Sequence, residues 1–95
     1  MKDQLTDSDV RDLKRRVLLR DKRKCILCGR QTRTVHEIEP RSHSFKNSSR
    51  IFRLENMCCL CHECHMRLHF SSESSIRKEM TANILRIMAE RYHYS

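Results

Sequence analysis

Cys25-Ile26-Leu27-Cys28 and Cys61-His62-Glu63-Cys64 are two C-x2-C knuckles in a chain of 95 residues. A two-residue gap lets both sulfurs of a knuckle turn toward one ion. Two knuckles therefore supply four thiolates to a single tetrahedral zinc, at Zn–S of about 2.3 Å. A chain this short buries only about 60% of its unfolded surface and needs such a staple. Aromatic residues are only 5% and tryptophan is absent. The 32 residues between Cys28 and Cys61 exceed ribbon spacing, so that stretch must hold structure of its own. The N-terminal MKDQLTDSDV has no apolar run of the kind that directs secretion. Reduced thiols in a cytoplasm are the expectation, with metal ligation preferred to disulfides. Cys58 and Cys59, neighbours on a strand, cannot both face one ion and read as small buried apolar residues.

The pattern outside the knuckles predicts a small α+β chain forming a single domain over 1–95, with its core at about 13–70. Residues 8–21 read as a helix, capped by Asp7 or Ser8, with Val10, Leu13 and Val17 at helical spacing. Residues 33–38 (RTVHEI) alternate and carry β-branched side chains, which predicts a short strand ended by Pro40. A second strand is expected at 51–54 (IFRL), after a polar loop from Ser42 to Ser49. A helix is expected from about His62 to Phe70, and an amphipathic one over 75–92. In the latter Ile76, Met80, Ile84, Ile87 and Met88 share one face, as core or as a contact for another subunit. No apolar run reaches ten residues, which excludes a membrane span.

Lys and Arg number 20 against 12 Asp and Glu, a formal net charge of +8. A surface of that sign attracts polyanions, of which nucleic acid is the commonest in a cytoplasm. The basic residues concentrate between 14 and 24: Lys14, Arg15, Arg16, Arg20, Lys22, Arg23 and Lys24, with Arg41 and Arg50 further on. They suit contacts with phosphate, and nothing in them specifies a base sequence.

The histidines complete the pattern. His65 and His69 are one helical turn apart, so both imidazoles project from one face and can chelate a divalent ion. His65 follows a knuckle cysteine but faces away from the sulfur site. His36 lies on the first expected strand.

Taken in order, Cys25-x2-Cys28, His36-Glu37-Ile38-Glu39-Pro40-Arg41-Ser42 and Asn56-x4-Cys61-x2-Cys64-His65-x3-His69 resemble the HNH endonuclease family in its zinc-knuckle, phage-type form. The basic RRVLLRDKRKC approach to the first knuckle adds to the likeness, which spans about residues 13–69. The resemblance implies a ββα-metal (His-Me finger) core around one catalytic divalent ion, with the zinc site beside it structural. It implies cleavage of phosphodiesters in double-stranded DNA, as endonuclease or nickase, with Mg²⁺, Mn²⁺, Ni²⁺ or Zn²⁺ in the reactive position. Asn56 fits the family's asparagine, His69 its helical metal ligand, and His65 a second ligand.

Counting back from Pro40 puts His36 at the family's ligand position and Glu37 where the usual base histidine stands. A His-Glu-Ile variant looks similar to that of some phage-type members. Two chemistries remain open: Glu37 as the base, or His36 as the base with the metal on Glu37, His65 and His69. Alternation along a strand places His36 and Glu37 on opposite faces. His43, in the polar loop, is a third candidate base. Two other functions compete. One is a zinc-stapled DNA-binding or adaptor module without catalysis. The other is an interaction protein whose tail helix contacts a second copy or a genome-packaging partner.

Overall fold

The computed structural model describes residues 4–39 and 47–94. They form three helices and a two-stranded antiparallel sheet, a small α+β arrangement. In chain order these are α1 (Asp7–Arg20), β1 (Val35–Glu37), β2 (Met57–Cys59), α2 (His62–Phe70) and α3 (Ser74–Tyr92), with a 3-10 turn at Leu54–Asn56 before β2. Residues 40–46, with Pro40, Arg41 and His43, lie outside the described residues, so the expectations placed on them are not addressed by the structure.

Helix α1 starts one residue earlier than its apolar spacing suggests, and Thr6 is its cap rather than Asp7 or Ser8. The Thr6 hydroxyl accepts from the Asp9 N–H, and the Asp9 carboxylate accepts from the Thr6 N–H, each at 3.0 Å. This reciprocal pair satisfies two donors that the helix start would leave open. At its other end the Arg23 N–H donates to the Leu18 carbonyl at 2.8 Å, which folds the chain back through Lys22 and Arg23. Both take left-handed backbone, with φ of 58° and 56°.

The second strand is not IFRL. The N–H groups of Ile51 and Phe52 both donate to the Ser48 carbonyl, so this stretch is a turn and its hydrogen bonds are committed locally. Ile51 and Phe52 are nonetheless buried, as anchors packed against α1. The strand that pairs with β1 is Met57–Cys59, with His36 opposite Cys58 and Glu37 opposite Met57. A short apolar run does not distinguish a strand from a buried turn, and here the ladder goes to the next one.

Strand β2 is buried on both faces, which explains its unbroken apolar sequence. Met57 and Cys59 point into a cluster with Val10, Val17, Ile51 and Phe52. Cys58 points the other way, into a cluster with Cys25, Cys61, Leu68, Met80, Ile84 and Met88. The two spare cysteines are thus core residues on opposite sides of one strand. Burial pushes both thiols up, Cys59 to about 12, and keeps them protonated.

The apolar stripe of α3 belongs to that second cluster. Met80, Ile84 and Met88 are buried, and Ile76 and Ile87 pack beside them. An exposed stripe awaiting a partner is therefore not what α3 presents. No helix among the described residues is long and apolar enough to cross a membrane.

A polar hub locks α1, β2 and α3 together. The buried Asp21 carboxylate accepts from the Cys59 N–H at 2.8 Å, the Tyr92 hydroxyl at 2.6 Å and the Arg20 Nε at 2.9 Å. Arg20 also donates to the carbonyls of Leu54 and Met57, at 2.7 and 2.6 Å, and its guanidinium lies over the Tyr92 ring at 4.6 Å. Charges this deep are tolerated because each is paired and fully hydrogen-bonded.

Candidate metal sites

The four knuckle cysteines converge. Their sulfurs lie within 4.8 Å of one another. Tetrahedral corners built on 2.3 Å bonds are about 3.8 Å apart, so the cluster needs only small adjustments to hold one ion. The first knuckle is shaped by backbone. Lys24 bridges Gln31, the Cys25 N–H donates to the Arg30 carbonyl at 2.7 Å, and the Gly29 N–H closes onto the Cys25 carbonyl at 2.9 Å. Gly29 sits at φ +80°, a conformation that glycine adopts without steric cost. The second knuckle opens α2: Cys61 is its N-cap, and its sulfur accepts from the Cys64 N–H at 3.4 Å.

The sulfurs do not ionise alike. Burial opposes ionisation of Cys25, but N–H groups of Cys61, Cys28 and Leu27 outweigh it and draw its pKa down to about 7. Burial pushes the Cys64 thiol up, and the neighbouring sulfurs push it further. Four thiolates cannot share this space without a compensating positive charge, and a divalent ion supplies it. Cys25 and Cys61 are buried and Cys64 half-buried, with Cys28 at the surface.

A second convergence lies nearby on α2. Ring nitrogens of His36, His65 and His69 also fall within 4.8 Å of one another. The His65 and His69 Nε2 atoms are 2.9 Å apart, and the His36 ring stands edge-on to both, at centroid distances of 5.3 and 5.7 Å. Two elements make this cluster. The β1–β2 register holds His36 opposite Cys58, on the face that α2 covers, and the four-residue spacing stacks His65 and His69 on one side of α2. Burial is graded: His36 is buried, His65 half-buried, His69 exposed. The cluster is therefore open to solvent on one side.

His36 and His65 are biased toward the neutral form, the state in which nitrogen binds metal. Burial, then the charges that His65 and His69 would carry, lowers the His36 pKa to about 4. Burial and His69 lower that of His65, while Glu37 acts in the opposite direction. Glu37 is thus close enough to act on the cluster by charge, although it alternates with His36 along β1.

Asn56 is buried at the end of the 3-10 turn and works as a clamp. Its side-chain oxygen accepts from the Glu39 N–H at 2.9 Å, and its amide donates to the carbonyls of Ile51 and Glu39 at 2.9 and 3.3 Å. Both ends of the stretch joining β1 to the 3-10 turn are pinned by this one residue, directly after the strand that carries His36.

The basic residues divide. Arg15, Arg16, Lys22, Arg23, Lys24 and Arg50 are exposed, and Lys14 is half-buried with its ammonium 5.8 Å from the centre of the Phe52 ring. Arg16 pairs with Asp12 at 3.1 Å and Arg50 with Glu39 at 3.5 Å. Arg20 does not belong with them: its guanidinium is consumed by the Asp21 hub and is only 14% exposed. Its buried acidic partner was invisible in a run dominated by bases. The one sequence signal for Asp21 is its standing as the single acid among seven bases between Lys14 and Lys24.

Compared with known protein families, curated proteins and solved structures, the chain matches none.

Proposed function

We propose that the protein is a metal-dependent DNA endonuclease or nickase of the HNH type, with β1, β2 and α2 as a ββα-metal core. The observation that carries this reading is the meeting of three imidazoles from β1 and α2 beside, and separate from, a four-sulfur cluster. Four sulfur donors complete a tetrahedron and suit a structural zinc. Three nitrogen donors with one open side suit an ion that must also meet water or substrate. A divalent ion held there (Mg²⁺, Mn²⁺, Ni²⁺ or Zn²⁺) supplies charge to stabilise the leaving oxygen of a phosphodiester.

The chain's own residues then take defined parts. His36, buried and edge-on to both helical histidines, suits the ligand role better than the base role: with a pKa near 4 it takes up little proton at pH 7. That leaves Glu37 as the acceptor of the proton from water, beside the cluster and coupled by charge to His65. Asn56 fixes the return of the loop and thereby the position of β1. Exposed Arg15, Arg16, Lys22, Arg23, Lys24 and Arg50 draw in double-stranded DNA.

Nicking of supercoiled plasmid with Mg²⁺, Mn²⁺ or Ni²⁺ added singly tests the reading. It predicts metal-dependent cleavage that His36→Ala and His69→Ala each abolish. Tight DNA binding with no cleavage under any of these metals would replace it with the binding module, the reading that a Glu at the base position favours.

A further inference from the structure

Four large apolar side chains are exposed among the described residues: Leu19, Met66, Phe70 and Leu85. Two of them, Met66 at 41% and Phe70 at 75% exposure, are on α2. Each directly follows a histidine of the imidazole cluster, and the two are one helical turn apart. At about 100° per residue they form a ledge next to the histidine face, on the side turned away from buried Leu68. An uncovered phenylalanine contributes nothing to the core and loses hydration free energy for as long as it faces water. Its place beside the open side of the histidine cluster calls for an occupant.

We propose that Met66 and Phe70 are a stacking platform for a nucleobase adjoining the phosphodiester held at the histidines, and that the double-stranded DNA drawn in by the basic residues is therefore engaged at the histidines where it is single-stranded or locally opened. This rests on the nuclease reading for the position of the strand. The charge of the molecule selects the occupant: at +8, with exposed Arg67 between the two apolar residues, the ledge repels a basic partner and attracts a polyanion. A nucleic acid is the polyanion that also carries flat apolar rings. Every base offers a π-face, so such a platform is tolerant of sequence, and the flexible thioether of Met66 adapts to whichever base is present. On intact duplex the bases are already stacked on one another, so the ledge gains a partner only where a base has left the stack.

The chain contains no tryptophan, so Phe70→Trp introduces a single indole reporter. Titrated with a short oligothymidylate without added divalent ion, its emission is expected to be quenched, and quenching by blunt duplex of the same length to be at least about tenfold weaker in affinity. A strand of the same length with abasic sugars keeps the phosphates and should not quench. Phe70→Ala is expected to bind oligothymidylate about tenfold less tightly by anisotropy, with an unchanged melting temperature. Quenching that persists with the abasic strand, or equal affinity for strand and duplex, would overturn the platform. So would sedimentation showing a dimer that Phe70→Ala dissociates, because the ledge would then face a second copy. The nuclease reading fails separately: quenching by oligothymidylate without cleavage under any metal keeps the platform and discards the hydrolysis.

Discussion

The sulfur cluster and the imidazole cluster share α2, yet they differ in donor type, donor number and exposure. The sulfur site uses four donors from two knuckles, is wired by backbone N–H groups and backs onto the larger core. The imidazole site uses three donors, graded from buried His36 to exposed His69. One arrangement closes around an ion and the other leaves it a free side. The same helix serves both because its N-cap Cys61 and first-turn Cys64 belong to the sulfur cluster, while its turns carry histidines at four-residue spacing on a different face.

The contrast breaks most visibly at Cys61. Cys61→Ser removes a candidate ligand while leaving a side chain that can still cap α2, and structural zinc binding is worth about 10–16 kcal/mol in small sites, more than a domain of this size has to spare. The expected result is a chain without a cooperative melting transition by circular dichroism. A transition within a few degrees of the parent would remove the structural role from this cluster.

His69→Ala should behave in the opposite way. Its side chain is exposed, so thermal stability should change by less than about 1 kcal/mol. Cleavage should fall by at least about 10³-fold, corresponding to about 4 kcal/mol of lost transition-state stabilisation. Thermal melts and plasmid assays on one preparation measure the two halves together.

Acid sharpens the comparison further. His36 titrates near 4 in the fold and near 6.5 when unfolded. Above pH 6.5 both states are neutral and its contribution to stability is fully present. Between pH 6.5 and 4 the unfolded chain takes up a proton that the native chain refuses, so stability falls as pH falls, by about 3 kcal/mol across that window. Urea melts from pH 7 to 4 should show this slope, and His36→Leu should flatten it.

The smallest effect is expected at Asn56. Asn56→Ala deletes three hydrogen bonds, one of them buried, and leaves the Ile51 carbonyl without this donor, for a cost of about 2 kcal/mol. Denaturant midpoints measure it. Because Asn56 holds Glu39, two residues beyond β1, cleavage should fall as well, by less than in His69→Ala.

The four cysteines and the His65–His69 pair were legible in the sequence as candidate ligands, because a knuckle or a helix brings such residues together by short spacing rules. The ends of α2 and the core face of α3 were legible for the same reason. His36 could be grouped with the histidine pair by residue type, but that it meets them depends on the register of β1 against β2, which no local spacing gives. What stayed hidden was long-range. The Asp21 hub joins residues 71 positions apart in sequence, and no local pattern announces that the one acid in a basic run is buried. The IFRL misreading has the same origin: whether Ile51 and Phe52 pair as a strand or anchor a turn is decided by the Ser48 carbonyl and by Met57–Cys59 taking the partner position.

Metal counting on purified protein tests the two-site account most directly. The intact chain should retain one zinc through dialysis against a mild chelator and take up one further divalent ion on titration. A variant with His36, His65 and His69 all changed to alanine should retain the first and bind no second. A chain that holds no metal after purification, or a triple variant that still takes up the second ion, would contradict it.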